Sequence, residues 1–128
     1  MFKEKVIKTS EYDIQCSIVH HLRLKNIMFF SVPNGIFFNS KSKKQGFSYM
    51  NKLKNAGFLN GVSDLIILLP NRTIFVEIKT AKGKQNINQI EFEKDVKKLG
   101  FKYLIWRTLE DCIIWEKEYR ERERNSIF

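Results

Sequence analysis

The sequence predicts an α/β fold, a mixed β-sheet flanked by helices, and three features of the residue pattern support this class. Two apolar runs joined by a Pro-Asn-Arg turn have the pattern of a β-hairpin over residues 64–79. Segments with apolar residues at helical spacing precede and follow it, at 9–25 and 86–99. Two further apolar runs of strand length come last, at 103–106 and 112–115. Helices and strands interleaved in this way indicate helices packed against a sheet.

Length and composition predict one domain over residues 1–128, whose last segment, 116–128, is a charged helix or tail. Hydrophobic residues make up 43% of the chain, which supports a packed core and excludes a disordered one. Lys and Arg number 23 against 14 Asp and Glu, and the net charge of +9 favours a polyanionic partner such as DNA. Cys16 and Cys112 are too few for a disulfide framework. Since no signal-peptide pattern or membrane-spanning run is present, we expect a cytoplasmic protein without membrane contact.

The first predicted helix spans residues 9–25 and begins at a Thr-Ser cap. Its apolar stripe consists of Ile14, Ile18 and Leu22. At 100° per residue, Glu11 falls in the middle of that stripe and Gln15 at its edge. A carboxylate on the core-facing side indicates a polar site inside the fold, and the alternative is a first-turn acid that simply turns to solvent.

The middle of the chain predicts a strand, a basic loop and a short helix. Residues 27–32 read as a strand that ends at the turn signal 33–35, which contains Asn34. Residues 39–46 form a polar loop whose lysines could contact phosphates, namely Lys41, Lys43 and Lys44. A helix is predicted over 48–56, ended by glycine.

The hairpin carries the residues with the clearest chemical signal. Both faces of its first strand are apolar, which predicts a buried strand, and Asp64 stands at the mouth of that strand. Side chains alternate along a strand, so Glu77 and Lys79 share one face while Ile78 points to the other. If the turn centres on residues 70–71, Asp64 lies opposite Glu77. Two carboxylates and one amine therefore converge at one end of the hairpin.

Two interpretations of this convergence remain open at this point. In the first, the lysine neutralises one acid and the group is an inert ion pair. In the second, the carboxylates hold a hard divalent cation such as Mg²⁺, which takes one or two carboxylates and keeps several waters. The amine would then orient water or meet charge on a phosphate.

The remainder of the chain predicts a loop, a helix and two strands. Lys82 and Lys84 lie on the loop that leaves the hairpin beside the polar site. Asn86 or Asn88 caps a helix whose buried stripe is Phe92, Val96 and Leu99. Gln89 extends that stripe toward the end of the sheet. The strands 103–106 and 112–115 are separated by a turn at 109–111.

The ordered set of motifs resembles the VRR-NUC branch of the PD-(D/E)xK nuclease superfamily. The matching pieces are Glu11-x-x-x-Gln15, Val32-Pro33-Asn34-Gly35, Gly57-x-x-x-Gly61-Val62-x-Asp64, Glu77-x-Lys79, and Gly83-Lys84 followed by Gln89. They follow the family order over nearly the whole chain. Ser63 departs from the proline that precedes the aspartate in most relatives, at a position that is not a ligand.

The resemblance implies a restriction-endonuclease-like core and a DNA phosphodiesterase that depends on Mg²⁺, with Mn²⁺ as a substitute and no nucleotide cofactor. In the family, Asp64, Glu77 and the backbone carbonyl of Ile78 would hold the metal. The residues that complete the catalytic set would be Glu11 on a metal or its water, Lys79 on the attacking water and Gln89 on the phosphate or lysine. Gln15 would support them, and Asn34 and the loop lysines would contact DNA.

The resemblance also implies a partner, an assembly and a product. Small stand-alone members resemble dimeric resolvases of four-way junctions, so we expect a homodimer, branched DNA and 5′-phosphate ends, and a phage origin. The segment 28–38 is a candidate dimer surface. Alternative functions are a DNA-binding or assembly module with a degenerate site, and a nuclease for flaps, overhangs or mismatches.

Overall fold

The structure, a computed structural model, describes residues 8–33 and 43–126, apart from the side chains of 43–47. Within these ranges, the chain forms four helices and four strands. The elements are α1 (Glu11–Leu24), β1 (Met28–Ser31), α2 (Lys43–Asn55), β2 (Leu65–Leu69), β3 (Arg72–Ile78), α3 (Ile87–Lys98), β4 (Lys102–Trp106) and α4 (Leu109–Ser126). The predicted α/β class, a mixed sheet flanked by helices, is confirmed.

The four strands form one sheet in the order β1-β2-β3-β4. β1, β2 and β3 are antiparallel neighbours, whereas β4 pairs with β3 in parallel after the crossover through α3. The β2–β3 turn lies at Pro70 and Asn71, where Asn71 adopts a φ of 60°. Leu65 pairs with Val76, so the register continues to Asp64 opposite Glu77, as the hairpin pattern predicts.

The two faces of the sheet have different coverings. Ile74, Val76 and Ile78 point to one face and pack with the stripe of α1 and with α4 in the main hydrophobic core. The opposite face carries Phe75, whose ring meets the α3 residue Phe92 edge to face at 5.6 Å between centroids. Since strand side chains alternate, Glu77 and Lys79 belong to the face that α3 covers.

Local capping explains where the helices that frame the site begin. Ser10 accepts a hydrogen bond from the Asp13 N–H at the start of α1. Asn86 and Gln89 form a capping box at the start of α3. The Thr108 hydroxyl and the Asp111 carboxylate exchange hydrogen bonds with each other's backbone N–H at the start of α4.

Three predictions about secondary structure and burial are wrong. Residues 112–115 are not a strand but part of α4, which runs unbroken into the charged segment. α2 begins at Lys43 instead of Ser48, so the predicted loop lysines Lys43 and Lys44 belong to its first turn. Leu99 is 74% exposed because α3 ends one residue before it.

Some predicted residues lie outside the described part of the chain, namely Asn34, Lys41 and the side chains of Lys43 and Lys44. The same holds for residues 34–38 of the candidate dimer segment 28–38. Among the residues that the structure describes, no helix is long and apolar enough to cross a membrane.

Candidate metal and phosphate site

Asp64 is fixed where β2 begins, and its carboxylate closes the end of the hairpin. Its backbone carbonyl accepts a hydrogen bond from the Val32 N–H at 3.0 Å, which continues the pairing of β1 with β2. Its Oδ2 accepts the Ile78 N–H at 2.7 Å. Because a charged acceptor strengthens such a bond, the last N–H of β3 holds one carboxylate oxygen in place. The other oxygen is left for additional partners.

Lys79 lies at the junction of three elements. Its N–H donates to the Trp106 carbonyl at 3.1 Å, which extends the parallel pairing with β4. Its Nζ is 3.9 Å from Glu77 Oε1 and also 3.9 Å from Glu11 Oε1. The lysine is buried, Glu77 is buried more deeply, and Glu11 is 51% exposed at the start of α1. Strand and helix thus bring three of the predicted site residues together.

Glu77 is 2% exposed, and its two carboxylate oxygens have different surroundings. Oε1 accepts a hydrogen bond from Gln89 Nε2 at 3.0 Å. Oε2 is buried and has no hydrogen-bond partner in the described structure. Burial, followed by the negative charge of the nearby Asp64, raises the pKa of Glu77 to about 9, against the opposing effect of Lys79. Without a further cation, this carboxyl holds a proton at neutral pH.

Gln89 connects the start of α3 to the carboxylate site. Its Oε1 accepts the Asn86 N–H at 2.9 Å while its N–H donates to the Asn86 side chain at 3.0 Å. Its remaining amide group is the donor to Glu77. Gly61, at φ +87°, allows this arrangement, because a Cβ there would lie 2.3 Å from the Asn88 carbonyl and 2.8 Å from the Gln89 nitrogen. Gly61 therefore lets the loop before Asp64 approach the first turn of α3 closely.

The donor atoms suit a hard divalent cation with a small protein ligand set. In the described ranges, no group of three or more His, Cys, Asp or Glu side chains is arranged to hold a metal ion. Asp64 and Glu77 nevertheless form a close carboxyl pair, and the unpartnered Glu77 Oε2 is an oxygen without a proton donor. Two carboxylates completed by water are the ligand set typical of Mg²⁺. On donor chemistry the site fits Mg²⁺ or Mn²⁺.

Comparison with known proteins supports the fold. No family model matches the chain, and no curated protein matches it. A solved structure of a "VRR_NUC domain protein" superposes with a TM-score of 0.68 at 17% sequence identity, over 89% of this chain and 90% of that one. This chain therefore shares the fold of that protein. At 17% identity the likeness extends to the fold and no further.

The remaining predicted residues lie around this centre. Gln15 is half-buried on α1, one turn after Glu11, and Lys82 and Lys84 are exposed on the loop that follows Lys79. These positions agree with supporting and DNA-contacting roles, which stay predictions.

Two residues near the site had no local signal in the sequence. Tyr103 on β4 is buried, and its hydroxyl accepts a hydrogen bond from Gln85 Nε2 at 3.2 Å. Burial and the nearby Glu77 charge raise the pKa of this tyrosine. Arg107, directly after β4, contacts the loop between Lys79 and Gln85. Both were missed because their partners are 18 to 27 residues away in the chain.

Proposed function

We propose that this chain is a divalent-metal-dependent nuclease that hydrolyses phosphodiester bonds in DNA. The observation that carries the proposal is the buried, unpartnered Oε2 of Glu77. It belongs to a carboxyl group beside Asp64 whose other oxygen, Oε1, lies 3.9 Å from the Lys79 amine. A buried carboxylate that lacks a partner is unfavourable unless something binds it. The net charge of +9 and the printed name of the structural neighbour support the same class.

Asp64, Glu77 and the Ile78 carbonyl would hold the metal ion. The Ile78 N–H points to Asp64, and the N–H and C=O of one strand residue leave the strand on the same side, so this carbonyl also faces Asp64. When bound, Mg²⁺ or Mn²⁺ would supply a Lewis acid for the phosphate and a more acidic water.

The chain's own residues would orient the reactants. Lys79 Nζ would hold the attacking water and accept its proton, or donate to the phosphate as charge develops there. Glu11, at the exposed side of Nζ, would fix the direction of the amine or bind the metal through water. Gln89 would keep Glu77 Oε1 in place, which leaves Oε2 for the metal. Attack on phosphorus and release of the 3′ oxygen would leave 5′-phosphate and 3′-hydroxyl ends.

Two observations favour this proposal over an inert ion pair. Both Lys79–carboxylate distances are 3.9 Å, which is longer than the 2.7–2.9 Å typical of a charge-assisted hydrogen bond. The raised pKa of Glu77 is the second, because a lysine that neutralised this acid would keep the pKa low. The amine and the acid are therefore close without satisfying one another.

The test is a titration of Mg²⁺ and Mn²⁺ with labelled duplex and four-way-junction DNA, comparing the wild type with Lys79→Ala. We expect metal-dependent cleavage by the wild type and a loss of about 10²–10³-fold in the variant, typical of removing one charge-stabilising donor. DNA binding without cleavage by the wild type would indicate a binding module of the same fold. Neither metal binding nor DNA binding would indicate the inert ion pair.

The finer proposal is a homodimer that cuts branched DNA. It rests on the resemblance of the motif set to junction resolvases and on the symmetry of a four-way junction, which offers two equivalent strands. Sedimentation at several concentrations, together with cleavage of junction, flap and linear substrates of equal sequence, tests it. A monomer that cuts linear duplex as fast as a junction would contradict this part while leaving the nuclease proposal intact.

A further inference from the structure

Arg107 contacts a single tight loop with one end of its guanidinium. Nη1 lies 2.7 Å from the Thr80 carbonyl, 2.8 Å from the Gly83 carbonyl and 3.4 Å from the Ala81 carbonyl. Its own N–H donates to Asp111 Oδ2 at 2.8 Å, which ties the residue to the start of α4. The backbone of Arg107 is thus anchored between β4 and α4, and its side chain reaches from there to three carbonyl oxygens, all of them neutral.

The loop that Arg107 holds is packed against the Lys79 side chain. The Gly83 N–H donates to the Thr80 carbonyl at 3.1 Å, which closes a turn directly after Lys79. A Cβ at Gly83 would lie 3.0 Å from Thr80 Oγ1 and 3.5 Å from Lys79 Cδ. This loop also leads to the α3 cap and hence to Gln89. Arg107 therefore holds the first part of the chain segment that joins Lys79 to Gln89.

We propose that Arg107 is a positioning residue for Lys79, an inference that rests on the proposed nuclease function. Its guanidinium keeps the 80–83 turn closed, and the closed turn keeps the lysine stem straight so that Nζ stays between Glu11 and Glu77. A displacement of about 1 Å at a reacting group can lower a rate by about 10²-fold. This positioning role of Arg107 differs from a phosphate contact, because the N–H groups on Nη1 are directed at carbonyl oxygens of the loop.

The test uses Arg107→Gln, Arg107→Lys and a matched arginine control, Arg72→Gln, in the full chain. Arg72 lies at the other end of the hairpin, where it pairs with Glu123 at 3.2 Å and stacks on Tyr119. We expect Arg107→Gln to lower the single-turnover cleavage rate by roughly 10–100-fold, with DNA affinity in EDTA changed by less than about threefold. Arg107→Lys should recover part of the rate, and Arg72→Gln should cleave like the wild type.

Amide hydrogen exchange separates failure of this inference from failure of the proposed function. Arg107→Gln should speed exchange at the Gly83 amide by about tenfold or more, and Arg72→Gln should leave it unchanged. If the Gly83 amide exchanges at the wild-type rate in Arg107→Gln, then Arg107 does not hold the 80–83 turn closed, and the inference is overturned whether or not the wild type cuts DNA. A parallel loss of rate and affinity would also overturn it, in favour of a direct DNA contact. If the wild type cuts no DNA, the nuclease proposal fails. Exchange at the Gly83 amide then shows by itself whether Arg107 holds the 80–83 turn closed.

Discussion

Two buried glutamates occupy opposite situations in this fold. Glu116, between α4 and α1, is 3% exposed and Glu77, at the end of β3, is 2% exposed. Basic side chains surround Glu116: Arg120 Nε lies 3.2 Å from Oε2, and His21 Nε2 and Lys25 Nζ lie 3.5 and 3.7 Å from Oε1. Glu77 has one amide donor, one lysine at 3.9 Å and an oxygen without a partner.

On the proposed function, this difference separates a charge that stabilises the fold, Glu116, from a carboxyl group retained for a ligand, Glu77. A buried carboxylate with cations on both oxygens has recovered much of the hydration it lost. A buried carboxylate beside a second carboxylate has not, and its pKa rises accordingly, to about 9 for Glu77. Functional sites are where such uncompensated groups are retained. Substitution of each acid by its amide is therefore the most direct way to test the comparison.

The largest expected effect is the loss of cleavage in Glu77→Gln. An amide cannot provide the anionic oxygen that a divalent ion requires, so we expect the rate to fall by about 10³-fold or more. Melting temperature in EDTA at neutral pH should stay about equal, because the metal-free Glu77 carboxyl already carries a proton and the amide that replaces it is also neutral. Single-turnover cleavage and thermal unfolding of the same preparation measure both.

Glu116→Gln should instead lower stability and leave cleavage intact. The Lys25 and Arg120 side chains are 47% and 44% exposed and can return to water, so we expect a loss of about 1–3 kcal/mol in unfolding free energy and unchanged cleavage. Equal cleavage defects in the two amide variants would mean that the two acids do not differ in role.

The next largest effect is a pH dependence of the unfolding free energy that comes from Glu77. The folded-state pKa of Glu77, about 9, is higher than its ordinary value of 4.5, so the folded protein binds this proton more tightly than the unfolded chain does. The resulting stability is fully present below about pH 4.5 and is lost as pH rises through about 9. Urea unfolding in EDTA should therefore show the wild type losing stability relative to Glu77→Gln across this window.

Mg²⁺ provides the control for this pH effect, since it can replace the proton on Glu77. We expect the wild type to regain stability at alkaline pH when Mg²⁺ is added, and Glu77→Gln to show no such gain. Parallel pH profiles for the two proteins would be at odds with a raised Glu77 pKa.

The convergence of these side chains could be predicted from the sequence because the main ones belong to one local unit. Asp64, Glu77 and Lys79 are placed by the register of a hairpin, which follows from the turn position and the alternation of side chains. Gln89 follows from the apolar stripe of the next helix, which it extends three residues before Phe92. Arg107 could not be predicted, since its partners are carbonyl oxygens about 25 residues earlier. Every residue carries a backbone carbonyl, so a side chain whose partners are carbonyl oxygens cannot be recognised from the types of residue in the sequence.

The misassigned start of α4 had a usable signal. Four apolar residues at 112–115 fit a strand or a helix equally. Thr108 and Asp111, however, have the spacing of a capping box ahead of an apolar run, and the charged residues beyond Trp115 continue at helical spacing. The long-range partners of Glu116 followed from neither pattern, since they depend on how α1 crosses α4.

A smaller effect is expected where the loop before Asp64 touches α3. Gly57 and Gly61 both have positive φ, but only Gly61 is crowded, with the Asn88 carbonyl 2.3 Å from an added Cβ. Gly57→Ala should cost about 1–2 kcal/mol from backbone strain alone, with cleavage retained. Gly61→Ala should cost more and lower cleavage, because the first turn of α3 must move and Gln89 with it. Equal stability and activity in the two variants would contradict this distinction.

The smallest and most selective change is Gln89→Glu. The carboxylate keeps the acceptor that bonds the Asn86 N–H and suits the N-terminal end of a helix, so we expect the capping box and the melting temperature to survive. It replaces the donor to Glu77 Oε1, at 3.0 Å, with a second negative oxygen. Loss of one such bond predicts about tenfold slower cleavage and a requirement for more Mg²⁺. Gln89→Ala, which loses the cap as well, should add a loss of stability. If Gln89→Glu cleaves like the wild type at low Mg²⁺, then the strand alone orients Glu77, and the amide at residue 89 serves only the helix.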